Sequence, residues 1–369
     1  MSGTSADAFD AVLVDFKDNQ PQIINTHSHP ISNHIKEAVY QLALSGSNEI
    51  IRLRELDQAI AQLSCDAIKQ LCKQSALSHR DIIAIGSHGQ TVRHYPAHLT
   101  PDDKHYTPGY SLQVGDPNII AEQTHITTVA DFRRRDISAG GHGAPLVPAF
   151  HQQFFNSKQA DRIIVNMGGI ANITVLNDGQ PTIGYDTGPA NSLMDSWYQK
   201  HQHGRYDIDG DWARTGTVNK ALLKQLLRHD YFSMNHPKST GRETFNLPWL
   251  ESQLQTFNSP LPAEDVQATL LHLTVESIAL EVKKQDPAAT AEVYICGGGA
   301  HNKALLTVLS KCLLPRKLAT TEELGIHPDW VEAVAFAWLA KQTIEHKTSN
   351  LPSVTGAKKE VILGGIYWA

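Results

Sequence analysis

Three stretches of this 369-residue chain carry the residue types that hold phosphate through the backbone: Ser2-Gly3-Thr4-Ser5, Gly168-Gly169 within VNMGGIANITVL, and Gly297-Gly298-Gly299 within YICGGGAHN. Successive N–H groups converging in a turn bind an anion without positive side chains. Glycine allows the close approach, and Ser or Thr adds donors. A single such turn is weak evidence, because tight turns use the same residues for purely structural reasons. A carboxylate stands in GYDTGPAN, where Asp186 follows a strand-like run, Thr182 to Tyr185, and precedes a helical pattern. On its own that position reads as a helix N-cap.

The elements around these stretches explain why they belong together. Ala11 to Phe16 reads as a buried strand, with Gln22 to Ser28 as its hairpin arm. Apolar residues recur at helical spacing from Ser47 to Cys72, with Ser47 as the cap. A short strand, Ile82 to Ile85, then enters the polar loop of IGSHGQTVRH. Strand-to-polar-loop transitions recur at ITTVADFRRRD, RIIVNMGGIANITVL and EVYICGGGAHN, separated by helices such as Asn191 to His201 and Ala263 to Lys284. That alternation indicates an α/β fold with ligands at the C-terminal ends of strands. RIIVNMGGIANITVL repeats the strand, turn and strand of the N-terminal hairpin, so two related lobes are expected. Each would offer a turn to a nucleotide's phosphates across a central cleft, with the third glycine run under the adenosine. The turn-rich segments Gly140 to Pro148 and His236 to Trp249 are read as functional loops, and the strand-like VILGGIYW as a return to the first lobe.

Composition narrows the classes. The length suits two lobes, and 41% hydrophobic with 19% charged residues is ordinary for a globular protein. A net charge of −6 with only short basic groups, Arg133-Arg134-Arg135 and Lys358-Lys359, argues against nucleic-acid binding. No apolar run is long enough for a membrane helix, and Asp7 and Asp10 stand where a signal peptide carries positive charge, so a cytoplasmic location is expected. Cys65, Cys72, Cys296 and Cys312 lack metal or redox spacing and read as buried free thiols. His27, His29 and His34 lack zinc spacing and read as surface or hydrogen-bonding residues.

The glycine turns together resemble those of the acetate and sugar kinase, Hsp70 and actin superfamily. The longer motifs MSGTSADAFDA, IGSHGQTVRH, VADFRRRDISAGGHGAPLVPAFH, NMGGIANITVL, GYDTGPANSLMD, KSTGRETFNLPWL, CGGGAHN and EAVAFAWLA resemble, in order and along essentially the whole chain, the anhydro-N-acetylmuramic acid kinase family. The resemblance implies a two-lobed, actin-like ATPase fold of ribonuclease H-like type, with mixed sheets flanked by helices. The lobes are expected at residues 1–130, joined by 355–369, and at 131–354. It also implies hydrolytic opening of 1,6-anhydro-N-acetylmuramic acid with phosphorylation of O6 by ATP and Mg²⁺, giving N-acetylmuramic acid 6-phosphate and ADP in cell-wall recycling.

Carried over by motif position, Asp186 becomes the catalytic base, which reverses its reading as a cap. Gln90, Thr91 and Arg135 become sugar contacts, with Arg133 and Arg134 left to solvent or ion pairs; His88 and His142 receive no catalytic role. The nucleotide contacts implied are Ser2, Gly3, Thr4, Ser5, Asp7, Gly168, Gly169, Asn172, Gly297, Gly298, Gly299 and Asn302; Glu332 and Asp7 fall on the metal side. A homodimer is the family's expected state. Two alternatives stay open: another sugar or small-acid kinase of the superfamily, in which Asp186 deprotonates a free hydroxyl, and an actin- or Hsp70-like nucleotide-gated binding protein. The family pattern carries a short strand before this Met, and Ala6 and Ala8 replace its usual Leu and Gly. Either the start is placed late, by about six or more residues, or the phosphate turn is looser here.

Overall fold

The computed structural model describes all residues except 4–5, 96–97, 100–105, 108, 237, 242–243 and 258–259. Two of the expected phosphate contacts, Thr4 and Ser5, therefore lie outside the described residues. The chain divides into one compact unit of residues 1–154 with 330–369 and a second of residues 155–329. The change-overs fall at 154/155 and 329/330 rather than at 130/131 and 354/355.

Unit 1 begins with an antiparallel hairpin of β1 (Ala8–Asp15) and β2 (Gln22–Pro30), in register from Ala8↔Pro30 to Asp15↔Gln22. Two helices follow, where the sequence pattern suggested one. The first, α1 (Asn33–Ala43), is capped by the Ser32 side chain accepting from the Ile35 amide. The second, α2 (Glu49–Gln74), starts after Asn48 in the left-handed region, so Ser47 is not its cap. Its buried face, Leu56, Ile60, Ser64, Ala67 and Leu71, recurs every three to four residues, and Leu56, Ile60 and Ala67 pack with Phe9, Val39, Leu42, Val92 and Val114 into one apolar cluster.

The next strand, β3 (Ile85–Ser87), begins where the sequence-based strand ended. A capping box at Ser78 and Asp81 holds the preceding residues in a turn, and pairing starts only when the Ile85 amide reaches the Thr127 carbonyl. Then come β4 (Gln90–Tyr95), two-residue β5 (His98–Leu99) and β6 (Tyr106–Thr107), and β7 (Tyr110–Val114), antiparallel to β4. The unit continues with α3 (Pro117–Thr124), β8 (Thr128–Ala130) parallel to β3, α4 (Phe132–Ser138) and α5 (Val147–Phe155).

Unit 2 is built on one five-stranded sheet. An antiparallel meander of β9 (Arg162–Met167), β10 (Ile170–Leu176) and β11 (Ile183–Pro189) leads through α6 (Asn191–His201), α7 (Lys220–Leu226), α8 (Leu247–Leu254) and α9 (Ala263–Gln285) to β12 (Glu292–Cys296). After α10 (Lys303–Leu313) comes β13 (Leu318–Thr320). The spatial order is β11-β10-β9-β12-β13, with β12 parallel to β9 and β13 parallel to β12. An antiparallel meander extended by two parallel strands is the ribonuclease H-like arrangement. Helix α9 is buried along most of its length against this sheet because Val266, Leu270, Leu273, Ile278 and Val282 fill the core with Ile163, Val165, Ile173 and Val293.

The chain then returns to unit 1. The apolar helix α11 (Val331–Ile344) buries Val334, Phe336, Trp338 and Leu339, as a central helix must. After α12 (Pro352–Thr355), β14 (Gly365–Tyr367) pairs antiparallel with β8, which closes the C-terminal segment onto the first unit.

Candidate active site

In unit 2 the strand register assembles the site. Asp186 pairs with Asn172, Asn172 with Asn166, and Asn166 with Cys296, so one row crosses β11, β10, β9 and β12 near the C-terminal ends of the two parallel strands. Strand spacing makes this row roughly 14 Å long. Both glycine runs leave the sheet beside it. The carbonyl of Gly168 accepts from the Asn191 amide, and that of Gly169 from the amides of Ala190 and Ser192 and from the Ser192 hydroxyl. The Gly-Gly turn is thereby fixed to the start of α6.

In the second run the outer two glycines have no room for side chains. Gly297 has φ +79°, and a Cβ there would lie 2.4 Å from Asn166 Oδ1; one on Gly299 would lie 2.6 Å from Met167 Cβ. These glycines let the β12 turn close against the β9 turn. Asn302 caps α10, its Oδ1 accepting from the Leu305 amide at 3.0 Å. Its position is at the end of the glycine run, and its side chain is engaged in that cap.

Asp186 lies inside β11 and not at a helix start: the residue before α6 is Ala190, so the N-cap reading is corrected. The half-buried aspartate is held at several atoms. Its amide donates to the Lys238 carbonyl at 3.3 Å, its carbonyl accepts from Tyr231 Oη at 2.7 Å, and its Oδ2 accepts from the Thr240 amide at 3.0 Å. Burial, reinforced by the nearby Asp186 charge, raises the Tyr231 phenol well above its usual range, so it stays a donor. KSTG, read only as part of a loop motif, thus supplies the amide that orients the carboxylate. No spacing rule links it to Asp186.

Unit 1 brings together a different set. Ser2 Oγ donates to Gln90 Oε1 at 2.6 Å, and both residues are buried. Gln90, expected to contact sugar, is therefore engaged with Ser2 at the N-terminus, and the Ala6 amide donates to the Gly3 carbonyl at 3.1 Å. Thr91 Oγ1 accepts from Gln113 Nε2 at 3.1 Å, and Gln113 also donates to Ser111, which faces His94. Burial first, then Arg133 and His142, push the His94 imidazole down to about 4. Asp7 forms an ion pair with Lys36, and Asp10 accepts from Ser28 Oγ at 2.7 Å.

The arginines of DFRRRD part company. Arg134 pairs with Asp131 at the exposed start of α4, and Arg135 is exposed. Arg133 turns inward, donating to the Gly143 carbonyl at 2.8 Å and to His88 Nε2 at 2.9 Å. His88 Nδ1 lies 2.9 Å from the Gly89 carbonyl, which can only accept, so this imidazole carries its proton on Nδ1 and offers Nε2 to Arg133. Burial and then Arg133 hold its pKa well below the ordinary value. Asp136 is fully buried and accepts from the Gly143 amide, Asn350 Nδ2 and Thr355 Oγ1, which pins the glycine loop after α4.

Glu332, in the first turn of α11, is half-buried. Burial raises its pKa, Arg133 opposes the rise, and Asp10 adds to it. Among the described residues no group of three or more His, Cys, Asp or Glu is placed to hold a metal ion, and no helix is long and apolar enough to cross a membrane. A carboxylate raised by burial still suits Mg²⁺, which takes few protein ligands when phosphates and water complete its shell.

Comparison with known proteins agrees along the whole length. The profile of anhydro-N-acetylmuramic acid kinase matches residues 1–369. The protein of that name from Shewanella sp. (strain MR-7) is 50% identical over 370 residues, covering all of this chain and 97% of the relative. The one from Saccharophagus degradans is 50% identical over 367 residues with the same coverage. The chain belongs to the anhydro-N-acetylmuramic acid kinase family.

Proposed function

We propose that the protein opens 1,6-anhydro-N-acetylmuramic acid with water and phosphorylates it from ATP, yielding N-acetylmuramic acid 6-phosphate and ADP for cell-wall recycling and amino-sugar catabolism. The observation that carries this reading is the row that sets Asp186, held by the Thr240 amide, on the same end of one sheet as two close-packed glycine turns. A carboxylate fixed next to phosphate-binding turns suits a reaction that joins glycosidic cleavage to phosphoryl transfer.

In this mechanism Asp186 takes a proton from water as the water oxygen bonds to C1 and the C1–O6 bond breaks, as in inverting glycoside cleavage. The electron pair left on O6 forms the bond to the γ-phosphorus, and the bond to ADP breaks. No separate acid is required, because the phosphoryl group neutralises O6 as charge develops. Positioning and electrostatics do the rest. The backbone of Gly168, Gly169 and Gly297 to Gly299, with Asn172 and Asn302 in the same motifs, would hold nucleotide; Ser2, Gly3, Thr4 and Ser5 would hold the γ-phosphate. Thr91, Gln90 and Arg135 would contact sugar. Mg²⁺ would supply charge neutralisation at the phosphates, with Glu332 and Asp7 as its protein ligands. A homodimer in the cytoplasm completes the proposal.

Incubation with ATP, Mg²⁺ and the anhydro sugar in ¹⁸O-water tests it. The label is expected at C1 of a 6-phosphorylated product. Phosphorylation of the open sugar alone would instead place the protein among ordinary sugar kinases.

A further inference from the structure

Lys238 and Glu281 form an ion pair at 2.7 Å with side chains 0% and 2% exposed, bridging the loop after Tyr231 to the C-terminal end of α9. The pair is embedded in polar and aromatic contacts. Lys238 Nζ lies 4.9 Å from the centre of the Tyr231 ring and 5.8 Å from that of Tyr185, and approaches the Tyr231 carbonyl at 3.4 Å. Glu281 Oε2 accepts from Tyr185 Oη at 2.9 Å, and Gln285 Nε2 donates to the same phenol oxygen at 2.7 Å.

A buried ion pair of this kind is a poor source of stability, since desolvation offsets most of the attraction and an apolar pair of similar volume often serves as well. What it does fix is direction. The residues it ties together are those that grip Asp186: Lys238 through its carbonyl, Thr240 through its amide two residues on, and Tyr231 through its hydroxyl.

We propose that Lys238 and Glu281 are positioning residues for catalysis, clamping residues 238–240 and Tyr231 so that the Thr240 amide and the Tyr231 hydroxyl hold Asp186 in line with its water. The inference rests on Asp186 being the base of the reaction proposed above. The Thr240 N–H favours the carboxylate form, which accepts it, so a looser clamp makes Asp186 easier to protonate. The titratable groups in and against the clamp include Tyr231, Tyr185, Lys238, Glu281 and His236, whose ring stacks on Tyr185 at 5.1 Å.

The test is the pH profile of kcat in Lys238→Met/Glu281→Gln, which removes both charges together and leaves neither unpaired. The expected result is a kcat lower by about tenfold or more, a KM for ATP within about twofold of wild type, and an acidic limb moved up by about one pH unit. Tyr231→Phe, which deletes one hydroxyl, is expected to lower kcat less, again at unchanged KM for ATP. Glu281→Gln leaves the Lys238 charge unpaired, which by itself favours the Asp186 carboxylate, so this variant is read by kcat, expected to fall at unchanged KM for ATP. If the double variant does not fold, the two single variants decide by kcat at unchanged KM for ATP. A folded Lys238→Met/Glu281→Gln protein with wild-type kcat and an unmoved acidic limb, or a folded Glu281→Gln protein with wild-type kcat, whatever its melting temperature, overturns the proposal. The wild-type control separates the two readings: no turnover of the anhydro sugar by wild type defeats the proposed reaction, whereas turnover with unmoved variant profiles defeats only the positioning role.

Discussion

Asp186 and Glu332 are both half-buried carboxylates with proposed work at phosphate or sugar, but they are held in opposite ways. Asp186 is gripped by hydrogen bonds at its amide, its carbonyl and its Oδ2, all from one short segment and its Tyr231 neighbour. Glu332 sits at the start of a helix, where burial raises its pKa and Arg133 lowers it through space. The first is tuned by geometry, which suits a base that must aim at a water. The second is tuned by net charge, which suits a group that answers to an arriving cation.

The contrast breaks first at Asp186→Asn, the largest effect expected. The change keeps the shape and an acceptor for the Thr240 amide while removing the base, so kcat should fall by about a thousandfold. ATP affinity, measured calorimetrically, should hold. Sugar-dependent ADP release at the wild-type rate would remove Asp186 from the mechanism and with it the distinction between the two carboxylates.

Glu332→Gln tests the other side. Removing one of the two proposed Mg²⁺ ligands should lower kcat/KM for ATP by about a hundredfold. Stability should move the other way. The pKa of Glu332 is raised on folding, so the folded state binds the proton more tightly, and stability is lost as pH rises through that pKa. Gln carries no charge to desolvate. Without nucleotide, the variant should melt with wild type at about pH 3, where Glu332 is protonated in both the folded and the unfolded chain, and above it at pH 8. A variant no more stable than wild type at pH 8 would mean that Glu332 is compensated locally, as Asp186 is.

Much of this contrast was legible in the chain and part was not. The β9–β10 hairpin, helix α6 and helix α9 follow from periodicity and turn residues, because each is local. The two glycine turns of unit 2 were legible for the same reason. The grip on Asp186 was not legible, since Lys238 and Glu281 are 43 residues apart and meet only when α9 packs on the sheet. In unit 1 the RRR triplet was read with Arg135 inward. Phe132 and Asp136 are buried on the short helix α4, and Ile137 packs against Gly143 near the Arg133 carbonyl. That stripe includes position 133 and leaves 135 outside it. Its apolar edges, Phe132 and Ile137, were present in the sequence as a clue.

Arg133→Met sharpens the account of unit 1 with a smaller effect. It leaves the Gly143 carbonyl and His88 Nε2 without this donor, at a cost of about 1–3 kcal/mol. It should also raise the Glu332 pKa further, because Arg133, together with the N-terminal amine, is among the charges that lower it. The melting temperature should fall by several degrees, and the pH dependence of ATP affinity should move upward. A lowered melting temperature with unmoved pH dependence would show that Arg133 holds the α4 loop and does not tune Glu332.

The other two arginines give the smallest effects and separate recognition from packing. Arg135 is exposed and Arg134 is paired with Asp131 at the surface, where screening leaves an ion pair worth roughly 1 kcal/mol or less. Neither replacement by Ala should change the melting temperature measurably. If the free guanidinium of Arg135 meets the sugar's carboxylate, Arg135→Ala should raise KM for the anhydro sugar by about tenfold while KM for ATP stays put. Arg134→Ala should leave both unchanged. Equal sugar KM values for the two variants would remove Arg135 from sugar recognition, and the inward Arg133 would then be the guanidinium of this triplet left to serve the site.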